Sequence, residues 1–543
     1  MYAFITKWMS EQHHLKPDGY RDGFGGRRAI DLEGSWLIVA IFLGCLTWSG
    51  AMATIGWNNS LSDAHGFRQT NNAITSYYLI RGGPFLRYET PVVGMPWSIP
   101  FEFPLYQWIV ASAARAFATP LNQTGRFISE VFFVLSLVAL WGVLAELKVA
   151  RICRLIFLSL VLVSPEYIFW SRTFMMESTA LFLAIGWLFF VLIYIRTQKI
   201  FFVLIGGLFG IFGALVKAFT LPAFMFVSSL YFACSLRREI DRVGFSKSLL
   251  HQAIPFLVLV SMPILTAWMW ARYTDEVKTL NVVGVHMTSS ALRQWYLGTV
   301  STRFSASAWQ TFFTRMIPDI LGDNIIGWLP VVGLIFAPHR VLPFLVSISA
   351  FLLGFLLFTD MHVIHNYYSF ANGIFLIIAM GWCILGLLEK GTAYKWVGLA
   401  IFIVSIGISI VGYYQRYYTT QKTNNMELPN VSNFVKSHTQ PDDLILVFGL
   451  DWSPEVPYYS ERRALAWPEW MPRDMDAPAM TESLARLGHR RFGALVACNG
   501  DQARLQLIQK ATNVLQLAEK PKYEDVKCSV YLPSHEPENS RND

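Results

Sequence analysis

Long apolar segments follow one another along most of the chain, with short polar stretches between them. A helix needs about 20 apolar residues to cross a hydrocarbon layer of roughly 30 Å. Segments of this kind predict eleven spans, at residues 35–57, 126–147, 152–170, 174–195, 200–216, 218–236, 253–273, 322–337, 340–358, 368–388 and 394–414. The pattern therefore predicts a polytopic α-helical membrane protein.

The pattern changes after residue 414. The stretches DDLILVFG (442–449), FGALVAC (492–498) and CSVYLP (528–533) have the length and composition of short strands. The stretches TESLARLG and DQARLQLIQKATNVLQL have helical periodicity. We therefore predict a small α/β domain over residues 415–533. A polar tail over residues 534–543 follows it and is expected to be disordered.

The positions of Lys and Arg predict the orientation, because cytoplasmic loops carry an excess of these residues. Residues 1–34 contain several of them and lack the features of a cleavable signal, so we expect a cytoplasmic tail and an uncleaved first span. Every second loop is then also rich in Lys and Arg. The regions predicted to lie outside are loop 58–125, the turns near residues 171 and 217, loop 274–321, turn 359–367 and the C-terminal domain.

Composition supports this assignment. The 543 residues are 54% hydrophobic and 15% charged, with a mean hydropathy of +0.39, whereas soluble proteins usually have about 25% charged residues. The orientation signal accounts for the net charge of +7. No basic stripe interleaved with stacking aromatic residues is present, so we expect no nucleic-acid partner.

Side chains able to perform chemistry gather on the predicted outer face. Those in the first loop are Asp63, His65, Arg68, Gln69 and Glu102. Those in the other outer turns are Arg172, Glu177, Lys217, Asp360, His362, His365, Tyr367 and Tyr368. Charged groups within a membrane cost about 2.5–3.5 kcal/mol, so this clustering predicts one outward-facing cavity. Simpler explanations stay open, namely aromatic anchoring of the loop, a local Arg172–Glu177 ion pair and a snorkelling Lys217.

A cavity of this composition suits sugar transfer from a lipid-linked phosphate. A carboxylate can take the proton from an acceptor hydroxyl. Arg and Lys can hold the phosphate on which negative charge develops, and aromatic rings can stack on a sugar or flank a prenyl chain. Asp360, His362 and His365 are too loosely spaced to predict a metal site. A divalent cation could still assist at the phosphate, although no strong ligand set is visible.

Four stretches, HGFRQTNNAITSYYL, PVVGMPWSIPFEFPLYQ, SRTFMMES and HNYYSF, resemble bacterial members of the GT-C glycosyltransferases. This superfamily includes the protein O-mannosyltransferases and the aminoarabinose transferases. The resemblance covers the first loop, the outer turns, and the layout of many helices followed by an α/β domain. It implies a polyprenyl-phosphate sugar donor, an inverting transfer, a catalytic acid in the first outer loop, and a bacterial inner-membrane location.

The resemblance also assigns roles to residues. Better-known members carry an Asp-Glu pair or Arg-Glu-x-Asp at this place, whereas this chain has Arg68-Gln69-Thr-Asn71. The catalytic carboxylate is therefore Asp63 or Glu102, and we prefer Asp63. In the donor site, cations and His365 would contact the phosphate, tyrosines would line the pocket, and Glu177 would orient Arg172 or Lys217. The residues assigned to the donor are His65, Arg68, Gln69, Arg172, Glu177, Lys217, His365, Tyr367 and Tyr368.

Two other functions stay open from the sequence. A transporter or flippase of a lipid-linked glycan would have ionisable residues near the midplane of the membrane. A glycan polymerase or ligase would share the outer Arg residues. For a transferase, the acceptor is a glycan, a lipid or a protein. Cys498 and Cys528 could form a disulfide if the C-terminal domain is extracytoplasmic.

Overall fold

The computed structural model describes residues 35–500 and 502–534. The predicted cytoplasmic tail over residues 1–34 lies outside the described residues. The same holds for residues 535–543 of the predicted C-terminal tail.

Helices make up most of the chain, and short 3-10 and π-helical turns connect several of them. The α-helices are α1 Ser35–Thr54, α2 Gly66–Ile80, α3 Leu105–Phe117, α4 Leu121–Glu146, α5 Arg151–Val163, α6 Pro165–Ser171, α7 Glu177–Thr197, α8 Ile200–Lys217, α9 Leu221–Val243, α10 Phe245–Ser248, α11 Ile254–Lys278, α12 Arg293–Leu297, α13 Val300–Arg303, α14 Ala306–Thr311, α15 Ile317–Leu321, α16 Gly333–Phe336, α17 Val341–Leu357, α18 Thr359–Ile364, α19 Gly373–Leu388, α20 Thr392–Tyr413, α21 Thr419–Lys422, α22 Glu427–His438, α23 Glu455–Ser460, α24 Pro478–Leu487 and α25 Gln502–Val514. The strands are β1 Leu444–Phe448, β2 Arg463–Ala466, β3 Phe492–Cys498, β4 Tyr523–Glu524 and β5 Cys528–Tyr531.

The structure confirms a polytopic helical membrane fold but not the predicted count of eleven spans. Among the described residues, 7 helical stretches are long and apolar enough to cross a membrane, or up to 9 if each of two bent helix pairs is one span. A shorter apolar helix, α19, lies outside that count. The membrane domain buries one large apolar cluster to which most of these helices contribute.

The number of spans differs from the prediction because hydropathy does not reveal where a helix bends or where two helices join. The predicted spans 200–216 and 218–236 form one helical stretch, Ile200–Val243, joined by the 3-10 turn Ala218–Thr220. Helices α5 and α6 meet at an angle of 67°. The extended residue at this bend precedes Pro165, and residues before proline are disfavoured in the helical conformation.

The C-terminal domain is built on a five-stranded sheet with the order β2-β1-β3-β5-β4. Strand β1 pairs in parallel with β2 and β3, whereas β5 pairs antiparallel with β3 and β4. Every residue of β1 is buried, as expected for a central strand covered on both faces. The predicted strands around residues 442–449, 492–498 and 528–533 are therefore confirmed. Strands β2 and β4 were not predicted, because they are too short to show a pattern.

The first loop adds a segment to the edge of this sheet. Backbone N–H groups of Ala464 and Ala466 in β2 donate to the carbonyl oxygens of Pro91 and Val92 at 3.0 and 2.7 Å. The N–H of Gly94 donates back to the carbonyl of Ala464 at 3.0 Å. Loop and domain thus share one hydrogen-bonded edge, so the C-terminal domain is fixed against the loop that carries the predicted site.

Side chains strengthen this junction. Arg463 forms an ion pair of 2.6 Å with Glu89, and the hydroxyl of Tyr77 donates to Glu461 at 3.0 Å. Apolar residues of the first loop and of the C-terminal domain also form one buried cluster. The junction therefore combines polar and apolar contacts.

Cys498 and Cys528 form a disulfide. They face each other directly in the antiparallel pairing of β3 and β5. The structure therefore confirms the bond that the sequence left open. Disulfides of this kind persist in oxidising compartments.

We predict that replacing both cysteines by Ser lowers the free energy of unfolding of the C-terminal domain by about 2–4 kcal/mol, because the bond closes a loop of 30 residues. Pulse proteolysis of the full-length protein in urea would measure the change. The control is Cys234→Ser, at a half-buried free cysteine. A loss of less than about 0.5 kcal/mol, the usual range for a neutral surface change, would contradict the prediction.

Candidate functional site

The predicted site residues come together at one end of the helix bundle, beneath the C-terminal domain. They form two adjoining groups. The Asp63 cluster consists of Asp63, Gln69, Arg126 and Arg172. The Lys217 cluster consists of His65, Arg68, Glu102, Glu177, Lys217, His365, Tyr367 and Tyr368.

Helix α2 carries residues of both groups, and its polar face is buried instead of facing water. Gln69 bridges two parts of the site, since its amide nitrogen donates to Asp63 at 2.5 Å and its oxygen accepts the backbone N–H of Phe174 at 3.1 Å. Asn72 donates to the carbonyl of Phe174 at 3.2 Å and accepts from Gln107 at 2.8 Å. Buried polar groups need such partners, so these bonds fix α2 against the turn that precedes α7.

Asp63 lies between two buried guanidinium groups. Its Oδ1 accepts from Gln69 and from the backbone N–H of Ala64. Its Oδ2 is 3.9 Å from Arg126 Nη2 and 4.0 Å from Arg172 Nη1. The side chain is 1% exposed, yet Oδ2 has no hydrogen-bond partner. A carboxylate oxygen that faces positive groups and has free lone pairs is suited to receive a hydrogen bond from a substrate.

Arg126 was missed as a site residue by the sequence analysis. It donates to the carbonyl oxygens of Trp57, Asn59 and Ser60 at 2.6, 2.8 and 3.0 Å and is fully buried. The sequence shows only an Arg at the start of an apolar segment, which is typical of an interfacial anchor. Its partners are backbone carbonyls, which leave no signal in a sequence.

Arg172, which the sequence assigned to the donor phosphate, lies beside Asp63 and outside the Lys217 cluster. It donates through Nη2 to the carbonyl of Gly56 at 3.1 Å, while its Nε and Nη1 are buried without a hydrogen-bond partner. Arg172 and Glu177 do not form the local ion pair considered from the sequence: Arg172 faces Asp63, and Glu177 binds Lys217.

The Lys217 cluster contains two buried or partly buried ion pairs. Lys217 Nζ lies 2.6 Å from Glu177 Oε1, and both side chains are at most 3% exposed. Arg68 pairs with Glu102, and these side chains are 15% and 23% exposed. Lys217 is thus buried in the protein and does not snorkel to water. Each cation is held in place by its own carboxylate, which a buried charge requires.

Aromatic rings form one wall of this cluster. Lys217 Nζ lies 4.2 Å from the ring centroid of Tyr368 and 5.2 Å from that of Tyr367, within the range of cation–π attraction. The His365 ring stacks on both tyrosines, with centroid distances of 5.3 and 5.9 Å. The His65 ring meets Tyr367 edge-on at 5.0 Å. These rings bring the first loop and the turn after α18 together.

The two histidines are neutral near physiological pH. Burial lowers the pKa of His65. Burial, together with the positive groups around it, lowers the pKa of His365 to about 3. His65 Nε2 donates to Asn366 Oδ1 at 2.9 Å, whereas His365 Nδ1 is buried and has no hydrogen-bond partner. Arg68 Nε is likewise without a partner, so a buried donor of the cluster is available to a ligand.

A small cavity continues from Lys217 into the bundle. Its walls are largely apolar and include Phe219, Ala223, Phe358 and Tyr368. Polar side chains of His362 and Asn372 complete its lining.

The sequence predicted no metal site at Asp360, His362 and His365, and this stays a prediction. His362 Nδ1 contacts the carbonyl of Phe358 at 2.8 Å and its Nε2 contacts Asn372 at 3.1 Å, so neither nitrogen faces His365. Across residues 35–500 and 502–534, no group of three His, Cys, Asp or Glu side chains is arranged to hold a metal ion.

Comparison with known proteins gives matches of structure only. No protein-family profile and no curated protein matches the sequence. The structure of ArnT from Cupriavidus metallidurans bound to undecaprenyl phosphate aligns over 92% of this chain and 98% of that one, at 12% identity and a TM-score of 0.57. The apo structure of ArnT gives 90% and 98%, 13% identity and a TM-score of 0.55.

A second protein has the same architecture. The archaeal oligosaccharyltransferase AglB from Archaeoglobus fulgidus, in complex with an inhibitory peptide and a dolichol-phosphate, aligns over 86% of this chain and 70% of that one. The identity is 11% and the TM-score 0.54. The resemblance predicted from the sequence is therefore confirmed at the level of structure: this chain has the fold of the GT-C glycosyltransferases.

Proposed function

We propose that this chain is an integral membrane glycosyltransferase. It moves a sugar from a polyprenyl phosphate to an acceptor hydroxyl, with inversion at the sugar carbon, on the extracytoplasmic side of the membrane. The observation that carries the proposal is the Lys217 cluster, in which two cations, neutral histidines and tyrosines lie together beside the first-loop carboxylates. Two proteins of the same fold were solved with undecaprenyl phosphate or a dolichol-phosphate bound.

The donor phosphate is assigned to Arg68 and Lys217. Lys217 uses one N–H on Glu177 and an ammonium group has three donors, so two remain. Arg68 Nε is buried without a partner. Charge-assisted bonds from these groups stabilise the negative charge that develops on the leaving phosphate. The rings of His365 and Tyr367 would then contact the sugar.

The acceptor is assigned to the Asp63 side of the site. Asp63 Oδ2 has free lone pairs, whereas Glu102 is engaged by Arg68. An acceptor that donates a hydrogen bond to Asp63 would be oriented so that its hydroxyl attacks the sugar carbon, as the bond from that carbon to the phosphate oxygen breaks. Arg126 and Arg172 fix the position of this carboxylate. The acceptor itself, a glycan, a lipid or a protein, stays open.

The extracytoplasmic location rests on two independent observations. The C-terminal domain, which adjoins the site, contains a disulfide, and such bonds form outside the cytoplasm. The Lys and Arg of the predicted cytoplasmic loops give the same orientation. We therefore propose a bacterial inner-membrane protein with its site on the periplasmic side. Activity measured with and without a chelator would test whether a divalent cation assists at the phosphate.

We predict that Arg68→Ala and the double variant Lys217→Ala/Glu177→Gln each weaken the binding of undecaprenyl phosphate about 10- to 100-fold, since a hydrogen bond to a charged group contributes about 1.5–3 kcal/mol. The Glu177 change avoids a buried carboxylate without a partner. Native mass spectrometry of the protein in nanodiscs would measure the bound lipid.

The matched control for this measurement is Arg242→Ala, which removes an exposed Arg that pairs only within its own helix. Equal binding by all four proteins would contradict the assignment of the phosphate. Absence of specific binding to the wild type would reject the lipid-phosphate donor and favour a transporter, or a polymerase or ligase with another carrier.

We also predict that Asp63→Asn lowers sugar transfer by at least 100-fold while undecaprenyl phosphate binding is retained, because the change removes a carboxylate from the acceptor and keeps its shape. The assay follows release of undecaprenyl phosphate from a set of undecaprenyl-phosphate hexoses and pentoses, with cell-envelope extract as the source of acceptor. Glu102→Gln is measured beside it. Full activity in both variants would show that neither first-loop carboxylate acts on the acceptor.

A further inference from the structure

A carboxylate of the C-terminal domain reaches into the first-loop site. Glu455 begins helix α23, a few residues after the carboxyl end of β1, the edge at which α/β sheets commonly bind ligands. The helix is tied to the first loop through Tyr459, whose hydroxyl accepts the backbone N–H of Leu61 at 2.5 Å. It is also tied to α4's first turn through Tyr458, which donates to Asn122 at 2.5 Å. The position of Glu455 is therefore fixed relative to Asp63.

Glu455 lies on the first residue of α2. A Cβ atom at Gly66 would be 2.5 Å from Glu455 Oε1 and 2.9 Å from the carboxyl carbon. The other oxygen, Oε2, accepts from Ser453 at 3.2 Å. Gly66 thus provides the space in which this carboxylate reaches the site, three residues from Asp63 along the chain.

The charge environment of Glu455 differs from that of the other two carboxylates. Asp63 faces two guanidinium groups, and Glu102 pairs with Arg68. In the part of the chain that the structure describes, no Lys, Arg or His forms an ion pair with Glu455. The charged or titratable groups that act on Glu455 are Lys527, Asp63 and Tyr459.

We propose that Glu455 is a third carboxylate of the transfer site and that it accepts the proton of the acceptor hydroxyl, while Asp63 positions the acceptor through a different hydrogen-bond donor of that molecule. This inference rests on the proposed function. As the acceptor oxygen bonds to the sugar carbon, its O–H bond breaks and the proton passes to Glu455. The electron pair of the broken carbon–oxygen bond leaves with the polyprenyl phosphate. The C-terminal domain thereby supplies a catalytic residue to the transfer site.

Physical chemistry favours this division between the carboxylates. Burial raises the pKa of Glu455 and outweighs the hydrogen bonds from Ser62 and Ser453 and the charge of Lys527, which lower it. The negative charge of Asp63 adds a smaller increase. A base is most effective when its pKa lies near the working pH. The pKa of Glu102, by contrast, is lowered, and carboxylates whose environments shift their pKa values apart commonly take different roles in acid–base catalysis.

Carbodiimide labelling of the full-length protein in nanodiscs tests the proposal without knowledge of the acceptor. Dicyclohexylcarbodiimide modifies protonated carboxyl groups, and peptide mass spectrometry identifies the modified residue. Glu455 should be labelled up to a higher pH than Glu102 and the control Glu461, which pairs with Lys436. Added undecaprenyl phosphate should move the midpoint for Glu455 to still higher pH, because a nearby anion stabilises the protonated form.

Two variants connect the labelling to turnover. Glu455→Gln should reduce kcat at least 100-fold, keep undecaprenyl phosphate binding, and remove the fall in rate that accompanies protonation of the base at low pH. Gly66→Ala should displace the carboxylate without removing it, since the new methyl group would meet the flexible end of Glu455. Its labelling midpoint should then fall towards that of a solvated Glu. Glu461→Gln is the control expected to keep full activity.

The outcomes separate this inference from the proposed function. A wild type that binds undecaprenyl phosphate and transfers sugar, beside a Glu455→Gln variant with kcat within about threefold of it, would overturn the role of Glu455 and leave the function standing. Labelling of Glu455 no greater than that of Glu461, or unaffected by the lipid, would also overturn it. A wild type that neither binds the lipid nor transfers sugar would reject both.

Discussion

The arrangement of the site depends on the guanidinium group of Arg126. It donates to three backbone carbonyls in the segment that leaves α1, at Trp57, Asn59 and Ser60. A chain that leaves a helix exposes carbonyl groups without partners, and in a buried position each one costs about 1–3 kcal/mol if unsatisfied. Arg126 satisfies these groups and brings its charge within 3.9 Å of Asp63. The direction of the first loop and the position of its carboxylate therefore follow from one side chain.

A second constraint comes from the backbone pairing between the first loop and β2. Because residues 91–94 extend the sheet of the C-terminal domain, the loop cannot shift without breaking the ladder that holds that domain. The polar face of α2 is enclosed between this domain and the turn that contains Phe174. Water is thereby kept from Asp63 and Gln69, and electrostatic interactions inside such an enclosed site are stronger than in water.

The sequence predicted the parts of this structure that depend on local pattern. Apolar runs identified the membrane helices and strands β1, β3 and β5, and the one-sided clustering of polar residues identified the Asp63 and Lys217 clusters. The 67° bend before Pro165 and the 3-10 turn Ala218–Thr220 changed the span count, because hydropathy is the same on both sides of each break. Arg126 and Glu455 were missed, since their partners are backbone groups or a glycine far away in the chain.

The pairing of charges in the Lys217 cluster bears on how a lipid phosphate could leave the site that we propose for it. Arg68 and Lys217 each have a carboxylate partner, so the cluster carries no excess positive charge. An entering phosphate must share its cations with Glu102 and Glu177, which limits the strength of binding to substrate and product alike. The contacts of Arg68 and Lys217 with the phosphate accelerate the reaction only if they become stronger as negative charge develops on the leaving phosphate. The ion pairs would thus hold the cations in position for the transition state and still permit release of the polyprenyl phosphate.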